Sequence, residues 1–201
     1  MKLYHAAASP FVRKVMMVLH ETGQRDVVEI ATISTAPTAP DASVAAANPL
    51  MKIPALERPD GVTLYDNRVI CAFLNDRAGG KLYGSETGKW DMLALEATAD
   101  GLMDAAVALS YESRLRPEDK QWDGWKDAQW SKVASACAAL NTRWMSHLSG
   151  PLNIGQIAVA AALGYVDFRH DDRGWRTGCD TLADWFETFS KRESFQATQP
   201  D

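Results

Sequence analysis

The spacing of apolar residues changes once along this chain, near residue 80, and that change constrains the fold more than any other feature. Before it, short β-branched runs alternate with helical segments; after it, only helical spacing recurs. The turn-rich stretch from Ala78-Gly79-Gly80 to Gly84 stands at the join. Two domains are expected, residues 1–77 and residues 85–201, and 201 residues suffice for two small cores.

Lys2 to His5 reads as a short strand. Ser9-Pro10 then opens a helix, since Ser favours the N-cap and Pro the first helical position. Phe11, Val12, Val15, Met16, Val18 and Leu19 recur at helical spacing, and Gly23 is a natural stop. Val27 to Thr32 reads as a second strand, which makes a βαβ unit with a parallel pair. Thr35 to Ala47 reads as a loop with at most a short helix. Asn48 to Leu56 contains two prolines and makes a constrained turn into a strand. Arg58-Pro59-Asp60-Gly61 signals a hairpin, Val62 to Tyr65 the returning strand. Asp66-Asn67 can cap a helix whose apolar face is Val69, Ile70, Phe73 and Leu74. The order βαβ then ββα is thioredoxin-like.

The rest is read as helices. Trp90, Leu93, Ala97, Gly101 and Leu102 begin a long one from Thr87 onward. Asp127 to Leu148 forms another, with Val133, Cys137, Leu140 and Trp144 on one stripe. Asn153 to Val166 is apolar nearly all round, the mark of a central buried helix. Leu182, Trp185, Phe186 and Phe189 mark the last. The expected fold class is an α/β thioredoxin-like domain followed by an all-helical domain.

A net charge of −5, with no basic run, argues against nucleic acid as partner. The longest apolar stretch, Ile157 to Val166, is too short for a bilayer, and no signal-peptide run opens the chain. A soluble cytoplasmic protein is expected, with no membrane partner. Cys71, Cys137 and Cys179 show no metal or disulfide pattern and read as reduced, mostly buried thiols. The four histidines show no metal spacing, so no metal is expected. Trp122, Trp125, Trp130 and Trp144 read as packing between helices, Arg169 to Arg173 as a solvated turn, and Arg13 and Lys14 as surface charges.

Three places carry possible chemistry. Ser9 starts a helix, where unpaired N–H groups and the helix dipole stabilise an anion, and its hydroxyl can donate to a thiolate. A plain N-cap explains the same residue. Ile53-Pro54 could be a cis bond beside a backbone edge open to an extended peptide, although most such bonds are trans. Asp66-Asn67 offers a carboxylate for an ammonium and helix N–H groups for a carboxylate, or a plain cap. Together, on one side of a small sheet, they would form a groove with a thiol activator, a pairing edge and an amino-acid clamp.

The stretches Ser9-Pro10-Phe11-Val12-Arg13-Lys14-Val15, Asn48 to Leu56 and Leu64 to Ile70 resemble the glutathione transferase superfamily, in particular bacterial members with serine in the first motif. Asn153 to Arg169 resembles that family's buried helix and its cap, so the likeness spans the chain. The resemblance implies glutathione as co-substrate and no metal. It implies a sulfur contact from Ser9, with Phe11 beside the tripeptide, and backbone pairing at Ile53 before Pro54. Lys52 would lie near the glycyl carboxylate, with Asp66 and Asn67 holding the γ-glutamyl end. A small electrophile would sit between the domains, with Tyr111 and Arg114 lining its pocket. A homodimer is also implied. Asn67 stands where the family usually has Ser or Thr, and Met51 where it has Gly. Asn153 and Gln156 replace the usual Ser or Thr and Asp of the buried-helix cap, and a capping box is expected from them. The activity implied is transfer of the glutathione thiol to an electrophilic carbon. A glutathione-binding interaction protein, or a glutathione-dependent isomerase or peroxidase, remains alongside it.

Overall fold

The computed structural model describes residues 1–84 and 88–200. The chain opens with β1 (Lys2–His5), α1 (Pro10–Glu21) and β2 (Glu29–Thr32). β1 and β2 run parallel, with Leu3 opposite Ile30. The second strand starts at Glu29 because Arg25–Val27 takes a 3-10 turn. After α2 (Ala42–Ala47), capped by Asp41, β3 (Ala55–Glu57) pairs antiparallel with β1 and places Leu56 opposite Leu3. The sheet order is β2-β1-β3. The expected fourth strand, Val62 to Tyr65, is reduced to one bridge between Leu64 and Leu56. Arg58 folds back over the hairpin and donates Nε to the Val62 carbonyl at 3.2 Å, so that carbonyl is already engaged. α3 (Asn67–Arg77) completes this thioredoxin-like domain.

The elements that follow are helical among the described residues: α4 (Lys89–Leu115), α5 (Asp123–Arg143), α6 (Met145–Leu148), α7 (Ile154–His170), α8 (Asp180–Phe189) and α9 (Glu193–Gln196). The helix expected over 127–148 is two helices, because Trp144 leaves helical geometry (φ −112°, ψ 0°) and caps both. The expected domain join and the helical pattern from Thr87 fall partly on residues 85–87, outside the described residues.

α7 is buried throughout from Ile154 to Val166. Asn153 caps it, its Oδ1 accepting from Gln156 N at 2.9 Å. The Gln156 amide is turned to the preceding loop, where Nε2 donates to the carbonyls of Gly150 (3.0 Å) and His147 (3.1 Å). A Cβ on Gly155 would stand 2.6 Å from Leu95 Cδ2, so glycine lets α4 approach. α1 packs against α3 on one side and α7 on the other. Leu3, Val15, Leu102 and Ile157 belong to one continuous apolar cluster, so the two domains share a core.

Three expectations need correction. Trp122 and Trp125 are 68% and 40% exposed; they flank the start of α5 before it meets the core, and only Trp130 and Trp144 of the four pack on it. The run Arg169 to Arg173 is not a solvated turn throughout, since α7 continues to His170, which is buried and hydrogen-bonded to Ser110 and Ala106. Arg13 and Lys14 are buried, not surface charges. The three cysteines are free and buried, and burial pushes the Cys137 thiol up to about 12. Among the described residues no helix is long and apolar enough to cross a membrane, and no group of three or more His, Cys, Asp or Glu could hold a metal ion.

Candidate functional site

The sheet register brings three motifs to one end of the small domain. β1 ends at His5 and runs into the loop that carries Ser9. β3 enters opposite Tyr4, so Ile53 and Pro54 lie beside that same end. Leu64 is opposite Leu56 in an antiparallel bridge, which directs Tyr65 and Asp66 toward Pro54. The Ile53–Pro54 peptide is cis, as is Tyr65–Asp66.

Ser9 is the N-cap of α1 with Pro10 at the first helical position. Its Oγ accepts a long bond, 3.3 Å, from Val12 N. Among the described residues the hydroxyl donates to nothing. It is half-buried, at the positive end of a twelve-residue helix. Phe11 is half-buried against the core. Lys52 is exposed, and its charge acts on Asp104.

The loop before Ile53 is braced by Asn48, which is 1% exposed. Its Nδ2 donates to Lys52 O at 2.8 Å and its Oδ1 accepts from Leu50 N at 2.9 Å. Within that brace Met51 adopts φ +55°, a left-handed conformation that favours glycine. Met51 tolerates it with its side chain half in solvent.

Asp66 caps α3, its Oδ1 accepting from Arg68 N at 3.0 Å and its Oδ2 paired with Arg68 at 2.9 Å. Burial raises the Asp66 carboxyl, but Arg68 and the helix amides outweigh that and hold it below its usual range. Asn67 points the other way. Its Oδ1 accepts from Lys14 Nζ at 2.7 Å, and the residue is buried.

Lys14 is therefore the hub of a buried network that joins the domains. Its Nζ, fully buried, also pairs with Glu96 at 2.8 Å and Asp100 at 2.9 Å, both on α4. Tyr83 donates to the same Glu96 oxygen at 3.2 Å, and Arg68 lies 3.6 Å from Asp100. Burial alone would lower the Lys14 ammonium; the groups around it, Cys71, Asp100 and Glu96, together outweigh it and hold it raised. Burial pushes the Asp100 carboxyl up more than Lys14 draws it down. Asp104, one turn on, is raised by burial and by the charge of Asp100. The sequence signal for Lys14 was present: α1 is apolar at 12, 15, 16, 17, 18 and 19, which leaves no wide solvent face.

Tyr111 and Arg114 are exposed on α4. Tyr111 lies eleven residues beyond Asp100, about 16 Å along the axis. They therefore do not join the Asp66 cluster but sit near Tyr165 and Arg169 of α7. Two clefts border these helices. A volume of about 600 Å³ is lined by Arg13, Asp167, Phe168, Phe186 and Phe195, and touches neither Ser9 nor Pro54. The other is small and lies between His20 and Ser194.

Comparison with known proteins adds to this geometry. Residues 3–82 match the family model for the N-terminal domain of glutathione S-transferases, and residues 123–188 that for the C-terminal domain. The chain is 30% identical over its full length, and 98% of the relative's, to YibF of Escherichia coli K12, named an uncharacterized GST-like protein. A crystal structure of a glutathione transferase family member from Pseudomonas fluorescens Pf-5 with bound glutathione is 44% identical. It covers 100% of this chain and 98% of its own, with a TM-score of 0.96. A further Pf-5 structure, with bound S-(propanoic acid)-glutathione, is 41% identical over all of both chains, with a TM-score of 0.91.

Proposed function

The chain belongs to the glutathione S-transferase superfamily, and we propose that it conjugates the glutathione thiol to apolar electrophiles, with Ser9 stabilising the thiolate. The observation that carries this is the state of Ser9: a half-buried hydroxyl at a helix N-terminus whose proton no group among the described residues accepts. A sulfur placed there receives a hydrogen bond and the positive end of the helix dipole. Both favour thiolate over thiol, and thiolate is the nucleophile.

In this reading the thiol proton leaves to water and the sulfur attacks the electrophilic carbon. A carbon–sulfur bond forms. Either a leaving group departs with its electron pair, or a π pair shifts to the neighbouring atom, which then takes a proton from water. The Ile53 backbone before Pro54 pairs with the cysteinyl unit, Phe11 flanks it, and Lys52 faces the glycyl carboxylate. Asp66 takes the γ-glutamyl ammonium. Asn67 contributes through its backbone N–H, because its side chain is committed to Lys14. Tyr111 and Arg114 border the electrophile. The relative that holds S-(propanoic acid)-glutathione supports a site open beyond the sulfur. A cytoplasmic homodimer, with a domain join at residues 77–85, completes the proposal.

A second reading has its own support. The engaged Asn67 side chain and the left-handed Met51 both alter the glutathione groove, which suits a glutathione-binding protein without turnover. Isomerisation or hydroperoxide reduction would start from the same thiolate. The test is steady-state conjugation of 1-chloro-2,4-dinitrobenzene. The proposal expects turnover by wild type and a loss of about 100-fold in kcat/KM for Ser9→Ala. Glutathione binding without turnover of any electrophile would favour the second reading.

A further inference from the structure

The ends of α4 and α7 around Tyr111 and Arg114, the residues proposed to border the electrophile, have a chemical character of their own. α4 presents Tyr111 and Arg114 three residues apart, on one face. α7 presents Tyr165 and Arg169 four residues apart, also on one face. The two helix ends are tied together by the Tyr165 hydroxyl, which donates to Ser110 Oγ at 3.0 Å. Ser110 in turn lies 3.0 Å from His170 Nε2, which bonds the Ala106 carbonyl at 2.9 Å. The tie is buried, so the helix backbones that carry Tyr111, Arg114 and Arg169 are held in register.

Arg114 and Arg169 have no carboxylate partner among the described residues, and the two acidic side chains on their own helices, Glu112 and Asp167, are engaged elsewhere. Glu112 is held by Arg116 at 3.0 Å and by Trp122 N at 3.0 Å. Asp167 is held bidentately by Arg176 at 2.7 Å and by Trp175. Arg173 has drifted to Asp127 at 4.0 Å. Arg169 lies with its guanidinium over the ring of Phe168, 3.9 Å from the centroid, and its Nε is buried with no hydrogen-bond partner. Both cations act on the Tyr165 phenol, which places them in one neighbourhood. Buried charges are normally paired, and this half-buried guanidinium, with no carboxylate beside it, has its terminal N–H groups left to donate to an anion.

α7 also packs against α1, the helix that Ser9 caps. Arg13 lies one turn beyond Ser9 on α1, its amide bonded to the Ser9 carbonyl at 3.0 Å, so it stands about 6 Å along the axis. A Cβ on Gly164 would run into the Arg13 guanidinium, so α7 passes alongside that first turn. Tyr165 and Arg169 follow directly.

We propose that the second substrate carries a carboxylate at the end of an apolar chain remote from its electrophilic carbon, and that Arg114 and Arg169 receive that carboxylate while Tyr111 borders the chain. Halogenated or unsaturated organic acids are the class that fits. The inference rests on the reading of this protein as one that binds glutathione; the bond-making step is the one given above and is unchanged.

The experiment is calorimetric titration of the full-length protein with three ligands: glutathione, S-hexylglutathione and S-(5-carboxypentyl)glutathione. The last two differ only in a terminal methyl against a terminal carboxylate. Wild type is expected to prefer the carboxylate adduct by about tenfold. Arg114→Gln/Arg169→Gln is expected to abolish that preference, and the exposed single change Arg114→Gln to reduce it. The ratio of two dissociation constants is independent of the fraction folded, so a partly destabilised variant still reports. Equal affinities in wild type, or a preference for hexyl, overturn the proposal while leaving glutathione binding intact. A preference that survives in the double variant overturns the assignment to these two arginines. Failure of all three ligands to bind wild type overturns the glutathione reading itself, and this proposal with it.

Discussion

Lys14→Met removes the hub that joins the domains, and its effect can be worked from the network. The Nζ is fully buried and satisfies Glu96, Asp100 and Asn67 at 2.7–2.9 Å. Methionine fills the same volume, so packing is nearly conserved and little cavity term arises. What remains is charge. Two carboxylates stay buried, Asp100 with Arg68 at 3.6 Å and Glu96, among the described residues, with the Tyr83 hydroxyl. Removing one partner of a buried pair costs about 3–5 kcal/mol, a drop in melting temperature on the order of 10 °C for a chain of this size. The loss should depend on pH. Burial already raises the Asp100 carboxyl, and without Lys14 to draw it down the folded-state value rises further, so the folded state binds protons more readily than the unfolded one and stability falls as pH rises through that window. Urea unfolding at pH 7.5 and pH 5.5 is the assay. The gap between wild type and variant should be large at the higher pH and narrower at the lower. A loss below about 1 kcal/mol at pH 7.5, or a gap that does not close on acidification, would refute the account of the network.

Met51→Gly relieves a left-handed residue worth about 1–2 kcal/mol and adds backbone entropy of about 0.5–1 kcal/mol to the unfolded chain. Urea midpoints should show a gain of about 0.5 kcal/mol or no change, and a clear loss would mean that the Met51 side chain is needed. Gly155→Ala gains about 1 kcal/mol of helix propensity but forces a methyl into Leu95, at an overpacking cost of about 1–3 kcal/mol; a net stabilisation by thermal melting would contradict the close α4–α7 approach. Glu21 pairs bidentately with Arg192 at 2.9 Å and accepts from Ser194, which pins α9 to α1. Burial raises its carboxyl, but Arg192 and Ser194 outweigh this and depress it. The contribution is therefore full above the unfolded carboxylate range and lost as pH falls through the depressed folded value. Glu21→Gln should cost about 1 kcal/mol at pH 7 and nothing in strong acid, and a loss independent of pH would place the effect elsewhere.

Most elements were legible because their signals are local. Ser9-Pro10 and Gly23 bracket α1, Asp66 caps α3 through its own side chain, and the apolar run from Ile157 to Val166 could only be a buried helix. The strand Val62 to Tyr65 was not, because its alternation cannot reveal that Arg58 occupies the Val62 carbonyl. Trp144 looked like part of a stripe, and period alone does not reveal a one-residue break shared by two helices. At the site, the three motifs were readable as a groove because register is fixed by strand order. The fate of Asn67 was not. Its side chain answers to Lys14, whose partners Glu96 and Asp100 lie about eighty residues away in sequence, and no local pattern couples them. Arg169 looked like part of a solvated charge run because a run of charges does not reveal that its guanidinium lies over the Phe168 ring with Nε buried.

The central claim is that Ser9 activates a bound thiol, and the most direct measurement is the thiolate absorbance of bound glutathione across pH for wild type and Ser9→Ala. The account predicts that wild type binds glutathione with its thiol titrating well below the free value of about 8.5, and that Ser9→Ala loses that shift. Glutathione bound to wild type with an unshifted thiol, or a shift retained in Ser9→Ala, would contradict it and leave Ser9 as a helix cap alone.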